Sequence, residues 1–292
     1  MTQEDLVDAL YTFDEEIFKH LDTVTLSRWE RDSTKPNTFK QLSIIKYFQH
    51  YTGEALPCWY DYSVEEVENM ICSMGIKNLL SKSKELILNF PSSMMLVDDL
   101  KVYPIRDIKK VHPLFELNMD VHLTHNHHFS QLTIEKFETW AMYPSNLFLA
   151  CEYKESFVGL FFSVKLKPDV FDRVLNFEMR YSEIEESDFA AHDEEGSDLL
   201  LSFYAINQKV AKMLFVRHFA YLIANQKRLV NIGVSTSTDE VKKIVINMNL
   251  EFFKHVETKD TQYNKDVTVE SYRQSLHNVL ATEYVTKMIF SE

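Results

Sequence analysis

Two apolar segments separated by three turn residues constrain the fold of this chain most. Residues 146–153 (NLFLACEY) and 157–166 (FVGLFFSVKL) are both typical of β-strands, and KES at residues 154–156 predicts a β-hairpin between them. On both sides of this hairpin, strand-like segments alternate with helical ones, such as the long apolar segment 210–226. Helices interleaved with strands predict a sheet domain of the α/β or α+β class, which we place at residues 98–292.

The composition indicates a globular protein with a proper core. A chain of 292 residues with 45% hydrophobic and 26% charged residues has room for two domains. Its start, MTQEDLVDAL, is acidic and amphipathic, which argues against a signal peptide, and its longest apolar runs are too short to cross a bilayer. The three cysteines lack CxxC spacing, as expected of reduced thiols. We therefore expect a cytoplasmic protein with no membrane partner.

The charge is distributed unevenly along the chain. The formal net charge is −13, and residues 1–22 alone hold seven carboxylates and one lysine. Residues 23–50 instead hold five cations and two carboxylates, so a basic segment follows an acidic one. Overall acidity disfavours nonspecific binding to nucleic acid, but this local basic segment is compatible with a specific contact.

Residues 1–55 carry the patterns of four short helices. Thr2, Asp14, and Asp22 or Thr23 are suitable N-caps for the first three helices. The fourth is predicted to turn four apolar side chains inward: Phe39, Leu42, Ile45 and Phe48. Such helices with flanking cations can form a helix-turn-helix DNA reader or an adaptor with solvated arginines, and the pattern leaves both open. Residues 56–97 are predicted to be a helical linker.

The segment TLSRWERDSTKP resembles the recognition helix and exit turn of Cro/repressor-type (Xre-like) domains. The family pattern runs roughly T-[IL]-S-x-W-E-x-G-x-x-x-P, and six positions of this chain match it: Thr25, Leu26, Ser27, Trp29, Glu30 and Pro36. Asp32 stands where the family usually has glycine. The resemblance implies that Leu26 and Trp29 belong to the core and that Glu30 has a structural role.

The same resemblance implies double-stranded DNA as a partner. Four side chains would then face the major groove: Thr23, Val24, Ser27 and Arg28. Arg31 and Lys35 would contact phosphates. One short recognition helix buries little surface, so we expect a homodimer that places two such helices about 34 Å apart on the DNA.

The order of elements across residues 100–258 resembles that of the GNAT N-acetyltransferase superfamily. Those enzymes run through a strand, two helices, an antiparallel hairpin, and a strand whose end splays from its neighbour and leads into a helix. The resemblance implies an α+β protein in which an all-α N-terminal domain precedes a GNAT-like mixed sheet with flanking helices. It also implies that acyl-CoA lies in the splay, with its pyrophosphate on backbone N–H groups at the start of the helix.

The pyrophosphate loop of that superfamily, [RQ]-x-x-G-x-[GA], aligns with QKVAKM. The implied cofactor-binding residues are Gln208, Lys209, Val210, Ala211, Lys212 and Met213. Ala211 and Met213 replace the glycines, and a Cβ at either position obstructs close approach of a ligand to the backbone. Further along, Asn247 stands where a tyrosine general acid often sits, Glu251 replaces a glycine, and Phe252 matches.

These resemblances favour a DNA-binding transcriptional regulator whose GNAT-like domain senses a small molecule or acyl-CoA, or assembles dimers. The alternative is an active N-acyltransferase that uses acetyl-CoA or another acyl-CoA and is recruited by its N-terminal helices. No convincing catalytic base emerges from the sequence, and Glu152 and Tyr204 are the two candidates for that role. A third reading is an interaction adaptor without DNA or ligand.

Two polar segments remain. Four histidines could bind a metal, but they lack an accompanying ligand pattern and are compatible with a polar loop, so we expect no metal: His122, His125, His127 and His128. Residues 183–198 hold eight carboxylates and no Lys or Arg, which predicts a solvated, mobile loop. The alternatives are that this loop repels DNA or covers the cleft, because it would lie where the cleft opens.

Overall fold

A computed structural model of the chain describes residues 1–73, 99–111, 132–260, 265–283 and 285–286. The helices are α1 (Gln3–Phe13), α2 (Glu15–Phe18), α3 (Thr23–Glu30), α4 (Thr38–Thr52), α5 (Val64–Ser73), α6 (Ile134–Met142), α7 (Pro168–Leu175), α8 (Gln208–Ala224), α9 (Asp239–Asn247) and α10 (Leu276–Leu280). The strands are β1 (Leu100–Pro104), β2 (Leu147–Tyr153), β3 (Ser156–Leu166), β4 (Gly196–Ala205), β5 (Leu229–Thr236), β6 (Glu251–Asp260) and β7 (Lys265–Ser275). Within these ranges, no helix combines the length and apolar composition needed to cross a membrane.

The seven strands form one sheet in the order β1-β2-β3-β4-β5-β7-β6. All neighbours are antiparallel except β4 and β5, which run parallel and are connected through α8. The expected hairpin is β2–β3, and its two-residue turn places Lys154 and Glu155 at φ 47° and 67°, as a type I′ turn requires. This topology confirms the predicted α+β class, with N-terminal helices ahead of a GNAT-like mixed sheet.

Helices cover the sheet on both faces. One face packs against α8, α9 and α10, where the largest apolar cluster of the described residues lies. The other face packs against α6 and α7 and includes a group of aromatic rings around Phe137, Trp140 and Phe162. Helix α8 lies against β3 and β4 on the first face, and α7 lies against β4 and β5 on the other. Strand β4 therefore has a helix on each side.

The N-terminal helices form a small core of their own. It contains Leu10, Phe18, Leu21, Leu26 and Tyr47. Asp22 is the N-cap of α3, because its carboxylate accepts the N–H of Thr25 at 2.7 Å. The prediction that Phe39 points inward is wrong, since 75% of this side chain is exposed. Phe39 lies in the first turn of α4, ahead of the stretch whose residues are buried.

The segment that follows α4 is attached to the sheet unit through buried contacts. The side chain of Gln226, at the end of α8, accepts the N–H of Leu56 at 2.5 Å and donates to the carbonyls of Leu56 and Trp59. Val67 and Ile71 of α5 are fully buried in the same core as α8. The domain boundaries at residues 55 and 97 therefore stay a prediction, and residues 56–73 pack as part of the core.

The acidic connection between β3 and β4 differs from its expected form as a solvated loop. It includes two short 3-10 turns, Tyr181–Glu183 and Glu186–Asp188, and it buries Ile184 and Phe189. It leads into the amino end of β4, whereas the cleft expected from the resemblance lies at the carboxyl end. Its last residues therefore lie away from the expected cleft, whereas Tyr181, just before the segment, contacts Ser235 near the carboxyl end of β5. The expectation that the segment covers the cleft stays a prediction.

Candidate functional site at the splay of two parallel strands

Strands β4 and β5 separate toward their carboxyl ends. Their pairing runs from Gly196 opposite Leu229 to Leu200 opposite Val234, and no later pair joins them in the described chain. Strand β4 nevertheless continues to Ala205 and stays paired with β3 on its other side. Beyond Leu200, β4 is therefore no longer paired with β5, and a slot forms between the carboxyl ends of two parallel strands.

A bulge lies where the slot begins. On β3, Phe162 pairs with Ser202 and Ser163 pairs with Leu200, so Leu201 has no residue opposite it. A β-bulge bends its strand and re-aims backbone groups, and bulges are common beside active sites. The chain therefore departs from regular pairing on both sides of β4 at the same position.

Two polar side chains lie near the point where β4 and β5 separate, on the face that carries α6 and α7, and one of them, Ser235, is buried against Tyr181. Tyr204 lies opposite Leu160, whose side chain belongs to the core of that face. Ser235 of β5 follows two residues after Gly233, which is backed by Phe171 of α7, so Ser235 shares that side of the sheet. Burial raises the pKa of Tyr204, which keeps its phenol protonated and able to donate a hydrogen bond.

Of the two candidate bases, Glu152 lies beyond the end of β4 on the same face as Tyr204. Gly159 of β3 pairs with Ala205, the last residue of β4. Glu152 lies opposite Phe157, which precedes Gly159 by two positions in β3. The Tyr103 hydroxyl donates to Glu152 Oε2 at 2.7 Å. Burial, and then this hydrogen bond, raise the pKa of Tyr103 to about 12. The structure thus brings both candidates to one end of the sheet, with Tyr103 as an added partner.

Helix α8 starts at the slot, and its first turn is capped by Asn207. This side chain is 2% exposed, and its Oδ1 accepts the N–H groups of Lys209 at 3.0 Å and Val210 at 3.1 Å. The next N–H, that of Ala211, donates to the carbonyl of Asn207 at 3.0 Å. Three N–H groups of the first turn therefore already have acceptors from the chain itself.

The six implied cofactor residues form this first turn and the start of the second. Val210 and Ala211 are fully buried, while the other four are partly exposed: Gln208, Lys209, Lys212 and Met213. Val210 lies against β3, where a Cβ on Gly159 would come within 2.5 Å of Val210 Cγ1. The glycine therefore allows α8 to approach the sheet closely at the slot.

The residues present fit one part of acyl-CoA and not the other. An extended arm with amide groups can lie along β4 beyond Leu200, where β5 no longer pairs with it. A pyrophosphate at the start of α8 would need N–H groups that Asn207 occupies, next to the Cβ atoms of Ala211 and Met213. Asparagine is a favoured N-cap residue, so the sequence alone could have predicted Asn207 as the N-cap of the helix that begins with QKVAKM. We did not foresee Asn207, Ser235 or Tyr103.

The three positions aligned with the later GNAT motif lie away from the slot walls. Asn247 ends α9, and Glu251 and Phe252 begin the edge strand β6. All three side chains are exposed, Phe252 by 56%. Phe252 packs edge-on against Tyr272 at 6.0 Å between ring centroids. The amide of Asn247 does not ionise, so this position supplies no general acid.

The residues predicted to contact DNA lie on and just after α3. Val24 is 57% exposed, and Arg28, Arg31 and Lys35 are also exposed, whereas Thr23 and Ser27 are half-buried. The guanidinium of Arg31 folds back, with Nη2 donating to Ser27 Oγ at 2.5 Å. The predicted DNA contacts stay a prediction.

Side chains of α3 contact both α1 and α4. Glu30 accepts a hydrogen bond from Gln3 Nε2 at 2.5 Å, which ties α1 to α3. Leu26 is buried, and Trp29 is half-buried with the Lys40 ammonium 5.6 Å from its ring centroid. Asp32 adopts φ 54°, the left-handed conformation that the usual glycine takes without strain.

The histidines of the possible metal site, residues 122–128, lie outside the described residues. Among the residues that the structure does describe, no group of three or more His, Cys, Asp or Glu side chains could hold a metal ion.

Comparisons with solved structures find acyltransferase folds over about 60% of the chain. Arabidopsis thaliana NAA60 in complex with acetyl-CoA is 10% identical with a TM-score of 0.43, covering 60% of this chain and 98% of that chain. An N-acetyltransferase from Staphylococcus aureus Mu50 is 11% identical with a TM-score of 0.39, covering 61% and 98%. FeeM, an N-acyl amino acid synthase from uncultured soil microbes, is 9% identical with a TM-score of 0.41, covering 62% and 91%.

No protein-family model matches the chain, and no curated protein matches its sequence. At these identities and TM-scores, no residue role is carried over to this chain. The description of the sheet as GNAT-like rests on the strand order of this chain.

Proposed function

We propose that this chain transfers an acyl group from a thioester donor to an amine at the slot between β4 and β5. The observation that supports this proposal is the loss of pairing after Leu200 and Val234, because it separates the carboxyl ends of two parallel strands ahead of α8. A thioester donor with an extended amide-bearing arm can lie along β4 there, as an extra strand would. The carboxyl end of parallel strands is also the usual place for ligands in such sheets.

The chemistry needs few side chains. The amine nitrogen attacks the thioester carbonyl carbon, the C–N bond forms, and the C–S bond breaks as a proton passes from the amine to the departing thiolate. Backbone N–H groups at the bulge around Leu201 can polarise the carbonyl oxygen. A base is needed only to keep the amine neutral, and Glu152 takes that role, with Tyr103 holding its carboxylate in place. Tyr204 can pass this proton on, because its phenol can give its proton to the thiolate while it takes up the proton that leaves the amine.

The test is product formation followed by mass spectrometry, with acyl donors from acetyl to dodecanoyl and a panel of primary amines. We expect transfer by the unaltered protein and a decrease in kcat of at least tenfold in Glu152→Gln. Glu195→Gln removes one exposed carboxylate at the other end of β4 and is the matched control, for which kcat stays unchanged. Absence of any transfer with all donors and amines would rule the function out.

DNA binding through α3 is a second candidate, favoured by the exposed cations and by the left-handed Asp32 in the exit turn. Selection of duplexes from a random pool tests it. Arg28→Ala should abolish enrichment of a palindromic site, and Lys46→Ala, an exposed lysine of α4, should preserve it. No enrichment by the unaltered protein at low salt would exclude this candidate and the homodimer on DNA that goes with it.

A further inference from the structure

The N-terminal helices enclose a pocket that neither of the functions proposed above uses. It lies between α1, α3, the turn that follows α3, and α4, and its volume is about 390 Å³. Small-molecule sites in proteins usually have volumes of about 300–1,000 Å³. The lining is mainly apolar and includes Leu6 of α1, Leu26 and Trp29 of α3, and Ile44 and Phe48 of α4. The pocket is therefore large enough for a small molecule, and its walls suit an apolar one.

The small core of the N-terminal helices leaves apolar surface at this pocket. Leu6, Trp29, Ile44 and Phe48 pack against that core, but all four side chains are only half-buried. A molecule that fills the pocket would remove part of this surface from water, which is the main favourable contribution to binding an apolar ligand. Two of the four side chains are aromatic, and aromatic rings gain from packing edge-on or offset against another ring. These walls therefore favour an aromatic ligand.

Hydrogen bonds within the chain hold the walls in place. Gln3 Nε2 donates to Glu30 Oε2 at 2.5 Å, which joins α1 to α3. In the turn after α3, Ser33 Oγ donates to the Arg28 carbonyl at 3.0 Å. Asn37 then caps the start of α4 with its side chain. A pocket that is already formed binds a ligand without the cost of ordering its walls.

Charged groups of both signs lie around the pocket. Its lining includes the carboxylates of Glu30 and Asp32 and the ammonium of Lys35, which also takes part in an interaction within the chain. The Lys40 ammonium lies 5.6 Å from the ring centroid of Trp29. A ligand with a charge of either sign would therefore meet a like charge beside an opposite one, and it would lose hydration on entry. An uncharged ligand avoids both costs.

We infer that this pocket is a binding site for a small, uncharged aromatic molecule. The inference goes beyond the proposed acyl transfer and does not depend on it. The ring system of the ligand fills the apolar space beside Trp29 and Phe48 and leaves the surrounding charges in their present contacts. Because α3 and the turn after it form two of the walls, the bound molecule stabilises both.

The first experiment compares three naphthalene compounds that share one ring system. They are 1-naphthalenemethanol, which is uncharged, 1-naphthylmethylamine, which is a cation at pH 7, and 1-naphthoate, which is an anion. Isothermal titration of the full chain measures Kd for each. We expect Kd for the alcohol to be at least tenfold lower than for either charged compound. Equal or tighter binding of a charged compound overturns the uncharged class, and no binding of any of the three overturns the site.

A substitution that fills the pocket shows where the alcohol binds. Ile44→Trp places a larger side chain in the lining and should raise Kd for 1-naphthalenemethanol at least tenfold. Lys46→Trp adds the same side chain to an exposed position of α4 outside the lining and is the matched control, for which Kd stays unchanged. Thermal melting shows whether each variant is folded. An unchanged Kd in folded Ile44→Trp would mean that the alcohol binds elsewhere, for example in the slot beside β4, and would overturn the inference.

A spectroscopic test needs no altered protein at the titration step. The chain has three tryptophans, and Trp29→Phe identifies the indole N–H signal of Trp29 in a nitrogen–proton correlation spectrum. Trp59 and Trp140 are buried in the two cores of the sheet and serve as internal references. We expect 1-naphthalenemethanol to shift the Trp29 signal of the unaltered protein and to leave the other two in place. A Trp29 signal that does not move at saturation overturns the inference, even where Ile44→Trp does not fold.

Discussion

The two ends of strand β4 are built in opposite ways. At the amino end, β4 is paired on both sides, with Ser197 opposite Leu166 and Gly196 opposite Leu229. The N–H of Gly196 also donates to the Arg228 carbonyl at 2.8 Å. At the carboxyl end, β4 keeps its β3 partner and loses β5. One strand therefore has a closed end and an open end.

Polar groups at the closed end are buried and engaged by the chain itself. Asp198 Oδ2 and His218 Nε2 are 2.8 Å apart, and both side chains are shielded from solvent. The Lys165 ammonium donates to three backbone carbonyls of the acidic connection: Ala191, His192 and Glu194. A buried His–Asp pair can look like catalytic machinery, but a substrate has no access to it at this end. We therefore assign these groups to stability, and the proposed acyl transfer concerns the open end only.

The largest expected effect tests the closed end. Asp198→Ala leaves His218 buried beside the Phe161 ring, 4.5 Å away, without its carboxylate partner. Removing one member of a buried pair typically costs about 3–5 kcal/mol, and we expect the free energy of unfolding to fall by that amount. Urea denaturation measures it.

The double variant Asp198→Leu with His218→Leu is the control. Replacing both members of a buried pair by apolar residues is often close to neutral, so most of the lost stability should return. If Asp198→Ala lowered the free energy of unfolding by less than about 1 kcal/mol, a solvated closed end would be indicated, and the contrast between the two ends would fail.

The second effect tests the open end. A Cβ on Gly159 would lie 2.5 Å from Val210 Cγ1 and 2.9 Å from Leu214 Cδ1. Gly159→Ala should therefore push the start of α8 from the sheet and cost about 1–3 kcal/mol. Because the slot ends at α8, acyl transfer should fall at least tenfold. Steady-state kinetics beside thermal denaturation separate the two losses.

Gly233→Ala is the matched control for Gly159→Ala. Its Cβ would come within 2.6 Å of Phe171 and Leu175 of α7, so it should lower stability by a similar amount without touching α8. Equal losses of activity in the two variants would mean that activity follows stability alone and that the position of α8 is not critical.

Local patterns predicted the elements of this fold better than the positions of its polar groups. The turn between β2 and β3 was predictable because Lys154 and Glu155 separate two apolar strands, and the N-cap of α3 was predictable from Asp22. The Asp198–His218 contact was not predictable, since it joins residues on a strand and a helix that only the folded sheet brings together. The acidic stretch looked solvated because its charges are visible in the sequence, while the burial of Ile184 and Phe189 depends on the sheet.

The candidate site was predictable in part for the same reason. Element order predicted that two strands separate ahead of a helix, as β4 and β5 do ahead of α8. Alignment with a glycine motif suggested the six residues of QKVAKM, whose role as cofactor ligands stays a prediction. It missed Asn207, which precedes the motif and caps its helix. Glu152 was a candidate on residue type alone, and its partner Tyr103 is on a strand whose register only the structure gives.

The third effect is smaller and returns to the closed end. Burial lowers the pKa of Lys165, and its three carbonyl partners hold the acidic connection against β3. Lys165→Met removes those hydrogen bonds and also the cost of burying the charge, so we expect a loss of only about 1 kcal/mol. Cleavage by a glutamate-specific protease at Glu194 and Glu195 should nevertheless become several-fold faster. Unchanged cleavage would show that Lys165 does not secure this segment.

The smallest effect is a pH dependence at the open end. The pKa of Tyr103 is about 12 in the folded protein, compared with about 10 in an unfolded chain. Because the folded state binds this proton more tightly, the resulting stability is present below about pH 10 and is lost as the pH rises from about 10 to about 12. In Tyr103→Phe, the free energy of unfolding should therefore decline less steeply over that range, whereas Tyr62→Phe, at a side chain 43% exposed, should follow the unaltered protein. Urea denaturation at pH 9, 10 and 11 measures the three slopes. Identical slopes would mean that Tyr103 is not held by Glu152, and the open end would lose the partner that positions its base.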